Sequence, residues 1–445
     1  MVMRNIRKLA YSFGAVATAL SYQAFSAWIL FFYVDVKKLT PMLAGIAMIL
    51  YGIWNAVNDP LAGYISDRTR TKWGRRIPYI AIGAIPFGII YYLIWSPPFD
   101  ANQMIWLFVY FILIINLFDT FYTFVILNWA SLFPEMFPSL KERAEVNSFR
   151  QFFGVIGLMI GIALTPLIYS SIGWSGMGIL YGGIIVLSLF VSLLGSREKR
   201  EFSLDKSLGV KDAVLKSLKN RSFLTFVVSN LFVQYTFTMV LAILPFFAKY
   251  LLGVGERETF MILITAFIFE IPMLFIWGKA AVRFGAKPIY LTAIACFGIF
   301  LIPFLVINDV VGSMIISAFL GASLGGVIVL SDVVISDIID EDEIMTGTRR
   351  EGMYFGVNAF VTRFAIALEG ASVWLIFTLT HYDAALKAQP VSFNYGLRLL
   401  IALFPFFSML LAFIIMRYYP LAGARLKQLK ESLEKIHLEK AKKVA

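Results

Sequence analysis

The sequence predicts an all-α membrane protein with twelve transmembrane helices, and three observations carry that expectation. The 445-residue chain is 59% hydrophobic and only 15% charged, whereas soluble domains carry about 25% charged residues. Apolar runs recur along its whole length, and most reach the ~20 residues that a helix needs to cross a bilayer. No series of ~10-residue alternating segments occurs, so membrane-barrel strands are not indicated. Helices are left as the structure that satisfies every backbone group in lipid.

Taken in order, the segments span approximately 9–33, 41–66, 78–96, 104–133, 147–170 and 176–195, then 222–248, 258–282, 288–307, 310–337, 352–380 and 394–418. The first follows Arg4, Arg7 and Lys8 as a signal core would. It runs on to Tyr33, however, well past the ~7–15 residues of such a core, and reads as the first transmembrane helix. Several segments exceed ~20 residues, which implies tilt or extension beyond the bilayer. Residues 1–195 form a first six-helix bundle and 222–418 a second, and the two are pseudo-symmetric. The connector at 196–221 holds Val210, Val214, Leu215 and Leu218 on one stripe. The tail at 419–445 places Leu426, Leu429, Leu433 and Ile436 at three- and four-residue steps. Both read as amphipathic helices lying on the membrane or on the cytoplasmic face.

Basic residues set the orientation. Of the 39 Lys and Arg, only Lys37, Lys38, Lys249, Arg257, Lys387 and Arg398 lie in loops after odd-numbered segments, and Arg150 and Arg363 lie inside segments. The rest belong to the two ends and to loops after even-numbered segments, so both termini face the cytoplasm. That bias, with attraction to anionic lipid, accounts for the net charge of +11 without a nucleic-acid partner. The single cysteine, Cys296, excludes an internal disulfide; with only two histidines, no His/Cys metal site is expected. No cofactor is expected either. No P-loop, HExxH or nucleophile–base constellation occurs, so a membrane enzyme or non-transporting receptor is the weakest reading.

The halves repeat one another. "GYISDRTRTKWGRR" (Gly63–Arg76) follows the second segment and "GKAAVRFGAK" (Gly278–Lys287) the eighth. Each has a glycine, a basic residue five positions on, and a second glycine followed by basic residues. The offset is 215 residues, about half the chain, which indicates two parallel halves related by an axis along the membrane normal. Asp67, Arg68, Arg75, Arg76 and Arg283 in these loops are candidates for closing a cytoplasmic gate.

Polar groups inside the segments mark candidate sites, because a carboxylate in lipid is costly. Asn55 and Asp59 stand four apart on one helical face with Asn58 beside them. Pro60 removes the helical donor for the Ala56 carbonyl. A carboxylate, amide oxygens and a freed carbonyl within one turn suit Na⁺; alternatively Asp59 exchanges a proton, or ties to Arg68 or Arg75 as a structural knot. Asp119 lies near the middle of the fourth segment with Tyr122 next on its face, and both are candidates for holding the solute; Arg150 in the fifth is a further candidate or, alternatively, a partner for Asp59 or Asp119. In the second half, Arg363 needs a counter-charge, for which Asp332 and Glu270 are candidates; Glu369 is a further buried acid. Trp54, Trp129 and Trp374 can stack on a solute, and the amides of Gln23 and Asn128 need partners that a polar solute supplies.

Four stretches carry a family likeness: "KLAYSFGA" (Lys8–Ala15), "NDPLAGYISDRTRTKWGRRIPYI" (Asn58–Ile80), "LFPEMFPSLKERAEVNSFRQFFG" (Leu132–Gly154) and "TGTRREGMYFG" (Thr346–Gly356). Through them the chain resembles the glycoside–pentoside–hexuronide:cation symporters, a branch of the major facilitator superfamily, over its whole length and in the same order. The resemblance implies two six-helix bundles around a central cavity, alternating access, and Na⁺, Li⁺ or H⁺ as coupling ion. It implies that Asp59 is an acid of the cation site and that Arg150 binds sugar hydroxyls. In the melibiose-type carriers of that family a Lys–Asp pair stands where this chain has Thr18 and Ala19. Asn55 replaces the first acid of their second helix, Ile126 the acid of their fourth, Ala130 (beside Trp129) a tryptophan, and Arg363 a lysine. The expected function is secondary active transport of a glycoside or other polar solute, coupled to H⁺ or Na⁺, by a monomer among membrane lipids in the cell membrane. The alternative is a carrier of an amphiphile or organic anion clamped by Arg150 and Arg363, since the broader group also contains lysophospholipid carriers.

Overall fold

The structure, a computed structural model, describes residues 2–137, 140–198, 219–346, 351–386 and 388–444. Its long elements are all helices. The first are α1 (Val2–Leu30), α2 (Pro41–Arg68), α3 (Ile77–Ile94), α4 (Met104–Tyr122), α5 (Asn128–Met136), α6 (Leu140–Met159) and α7 (Thr165–Gly195). Then come α8 (Arg221–Phe246), α9 (Glu256–Phe284), α10 (Ala286–Leu301), α11 (Val310–Thr346), α12 (Glu351–Leu379), α13 (Val391–Arg398), α14 (Phe404–Arg417) and α15 (Gly423–Val444). Wider π-helical turns at Phe31–Val36, Thr123–Leu127, Ile160–Leu164, Phe247–Leu252 and Leu399–Leu403 extend or join them.

Eleven helical runs among the described residues are long and apolar enough to cross a membrane. One of them, Glu145–Gly195, has 51 residues. As a straight helix it would be ~75 Å long, more than twice the ~30 Å hydrocarbon core. Gly173 breaks it, with φ 73° and ψ 169°, a combination open essentially to glycine alone. The run therefore holds two crossings, and the break falls in the gap expected between residues 170 and 176.

Two ends differ from the expected spans. α1 begins at Val2, where Lys8 is held by Glu145 at 2.6 Å. α11 continues to Thr346, because its acidic last turns find donors. Lys430 meets Asp337 at 2.6 Å and Asp340 at 2.7 Å, Arg425 meets Glu341 at 3.1 Å, and Tyr354 donates to Asp342 at 2.9 Å. The tail helix α15 thus docks on the acidic end of α11. Burial alone would lower the Lys430 ammonium pKa; the two carboxylates outweigh it and raise it. The expected connector helix over Gly209–Asn220 lies almost wholly outside the described residues.

The chain forms two compact units. The first comprises Met1–Ser207, Leu241–Met261 and Gly370–Asn394. Within it α1 packs along α6 and α7, α3 along α7, and α2 along α4. α3 and α7 touch backbone to backbone: a Cβ on Gly182 would lie 2.5 Å from the Gly88 carbonyl oxygen. Trp174 stacks on Tyr169 at 4.1 Å and on Trp95 at 5.4 Å, forming an aromatic core. The second unit comprises Leu208–Val240, Ile262–Glu369 and Tyr395–Ala445. In it α10 packs on α11 and α14, and α15 on α11. Asn230 donates to Asn358 at 2.9 Å.

Candidate functional site

A buried polar node in the first unit joins α2 to α4. Asp119, 1% exposed, receives the Asn55 amide at 2.5 Å on one carboxylate oxygen and the Asn58 amide at 2.9 Å on the other. Asn58 also donates to the Asp119 carbonyl at 3.0 Å. A carboxylate only accepts, so both amide nitrogens must face Asp119 and both amide oxygens must point elsewhere. Those two oxygens, Asn55 Oδ1 and Asn58 Oδ1, are buried without a hydrogen-bond partner. Asp59 accepts from Thr123 at 2.9 Å. Thr123 opens the π-helical turn that follows α4, and the wider turn brings its hydroxyl to α2. Asp59 and Asp119 thus both join α2 to α4, Asp59 through Thr123 and Asp119 through the two amides.

The expectation had put Asp119 with the solute; the geometry groups it with the α2 amides instead. Trp54 sits beside the node and donates to Thr120 at 3.1 Å. Tyr122 lies 5.6 Å from Tyr22 between ring centroids. The Gln23 side-chain oxygen is buried without a partner, as is that of Asn128, whose nitrogen bonds the Phe124 carbonyl at 2.7 Å. Trp374 packs its Cβ against Gly45 of α2.

Trp129 departs from the expected solute-stacking role. It is 2% exposed, and its indole N–H donates to Ser192 at 2.9 Å and to the Tyr11 carbonyl at 3.2 Å. Its ring stacks on Tyr11 at 5.3 Å and fills the space left by Gly14. Arg150 lies over this ring at 4.7 Å and over Phe133 at 4.6 Å, with its Nε buried and not hydrogen-bonded. The aromatic pair thus receives the guanidinium that was expected beside Asp59 or Asp119.

In the second unit Arg363 is half-buried on α12. The Glu270 Oε2 is buried without a hydrogen-bond partner. Asp332 is exposed, and Glu369 is buried within hydrogen-bond reach of the Thr238 hydroxyl.

The basic loop after α2 is latched. Glu198 accepts the backbone N–H groups of Arg75 at 2.8 Å and Arg76 at 3.0 Å, and the Arg75 guanidinium stands 3.6 Å away. Arg68 and Arg283 are exposed; the Asp67 side chain lies outside the described residues. Glu198 was missed because nothing in its local sequence ties it to a loop over 120 positions earlier.

A second missed cluster lies at the end of the first unit remote from the N-terminus. Asp35, 1% exposed, receives Lys249 at 2.5 Å, Tyr382 at 2.9 Å and the Tyr250 hydroxyl. Lys38 donates to the Ala384 carbonyl beside it. Burial and the Asp35 carboxylate raise the Tyr382 phenol far above the usual tyrosine pKa, so it remains a donor. The available signal was a carboxylate closing one long apolar run and a lysine closing another.

Comparison with known proteins accords with this architecture. A family described as MFS/sugar transport protein matches residues 10–423. A putative glycoside/cation symporter of Escherichia coli is 26% identical, covering 96% of this chain and 94% of the relative. The isoprimeverose transporter of Lactiplantibacillus pentosus is 24% identical over 87% of this chain and 84% of its own. A sodium-dependent lysophosphatidylcholine symporter of Danio rerio is 24% identical over 94% and 86%. Among solved structures, a D-xylose-proton symporter superposes with a TM-score of 0.68 at 14% identity, covering 93% of this chain and 97% of that one, which shows the fold. The chain is a secondary transporter and multi-pass membrane protein, not an enzyme, and it belongs to the MFS/sugar transport protein family.

Proposed function

We propose that this protein is a symporter of a small polar solute of the glycoside class, working by alternating access between two six-helix bundles with both termini in the cytoplasm. Its coupling ion, Na⁺ or H⁺, binds at the α2–α4 node. The observation that carries this reading is the pair of buried, unbonded amide oxygens of Asn55 and Asn58 beside the carboxylates of Asp59 and Asp119. Hard cations are held by such oxygens. Relatives named as cation symporters support an ion at this position. Asp119 supplies the second charge that Asn55 and Ile126 lack. The Asp35–Lys249–Tyr250–Tyr382 cluster closes the outer ends of the helices in one state, and Arg68, Arg75, Arg76 and Arg283 serve the cytoplasmic side. A second reading, an amphiphile as cargo, is favoured by the lysophosphatidylcholine symporters among the relatives.

The test is uptake into proteoliposomes. Asp119→Asn should lower gradient-driven accumulation at least about tenfold, the effect of only ~1.4 kcal/mol in ion binding. Solute counterflow should persist. Wild-type accumulation by this variant would overturn the node as the coupling site.

A further inference from the structure

One groove lies outside the transport reading. Pro78, Tyr79, Ile82, Gly83, Phe121 and Phe124 wall an apolar groove of about 480 Å³ along α3 and α4. Ile82 is 68% exposed, so the groove opens sideways toward lipid. Thr69 closes its end, and from there the chain passes directly into a polar hollow lined by Arg70, Lys72, Trp73 and the Arg75–Glu198 pair. Arg70 and Lys72 are exposed, and the Trp73 ring is 66% exposed. The hollow keeps its shape because Thr71 pairs with Gly74 and Glu198 holds the next two backbone N–H groups. An apolar channel thus ends at a cationic rim carrying a tryptophan, the residue favoured at a membrane–water boundary.

We propose that this groove binds an anionic phospholipid, its acyl chain between α3 and α4 and its phosphate on Arg70 and Lys72. Both parts are needed: the groove takes the chain, and the rim selects a negative headgroup, since a choline group would meet like charge. Thr120 backs the groove and accepts from Trp54, the neighbour of Asn55, so the bound chain lies one side chain from the ion node. The cytoplasmic assignment of the loop chooses the leaflet only; binding in detergent does not depend on it, so a wrong orientation and an absent lipid site are separable.

The experiment is thermal unfolding of the full-length protein in detergent with phosphatidylglycerol, phosphatidylcholine or inorganic phosphate. Phosphatidylglycerol should raise the melting temperature more than phosphatidylcholine does, and phosphate should not reproduce the shift. The double variant R70Q/K72Q should lose the difference while melting like wild type without lipid. Equal shifts for the two lipids, an unchanged preference in the double variant, or a matching shift with phosphate would overturn the proposal. A second measurement uses wild type alone: phosphatidylglycerol with a photoreactive acyl chain should label 78–83 and 120–124. Labelling confined elsewhere would equally overturn it.

Discussion

At the scale of single residues, the proposed ion node draws its acids from two different segments. Asp59 was legible from its spacing with Asn55 and Asn58, and Asp119 was legible as a costly isolated acid. Their places in one helix contact were not, because these depend on where α2 crosses α4 and on the π-helical turn at Thr123–Leu127. Trp129 was misread for a similar reason. Nothing local says that Gly14, over a hundred positions earlier, leaves the space its ring fills. The node also predicts the effect of restoring an acid. Asn55→Asp adds a third carboxylate beside the two present, so Na⁺ should bind at least roughly tenfold more tightly, since even ~1.4 kcal/mol of added attraction gives that factor. The sodium dependence of the melting temperature at fixed pH measures this, and an unshifted midpoint would remove Na⁺ from the node.

At the scale of elements, helices were legible from their apolar length, and their breaks from polar gaps such as the one holding Gly173. Their wider turns and their close crossings were not. The α3–α7 crossing illustrates the difference. Gly182 rests on the Gly88 backbone, while nothing lies within 4 Å of a Cβ on the adjacent Gly183. Gly182→Leu should therefore destabilise the protein by about 1–3 kcal/mol through overpacking, and Gly183→Leu should be near neutral. Thermal melts of the two variants in one detergent decide it; equal melting temperatures would show that the crossing relaxes freely. The tail belongs to this scale too. Its leucine spacing foretold a helix, whereas its seat on α11 required knowing that the acids of α11 needed cations.

At the scale of the whole molecule, composition and the length of the apolar runs carried nearly all of the helical architecture, because a bilayer imposes a length rule on every segment. What remained illegible is where ends of distant segments meet, as Asp35 does with Lys249. That contact predicts a reversal experiment. Asp35→Lys or Lys249→Asp alone should reduce uptake several-fold, while the two together should recover most of it, the signature of a coupled pair. Singles and double that behave additively would exclude the lock. Asp35 and Tyr250 are separated by 215 residues, the same interval that relates the two glycine-basic loops. In the proposed repeat they are equivalent positions. Identical halves would set the same side chain against itself there, acid facing acid. On the proposed repeat, an aspartate met by a tyrosine and a lysine is a contact that only diverged halves can make.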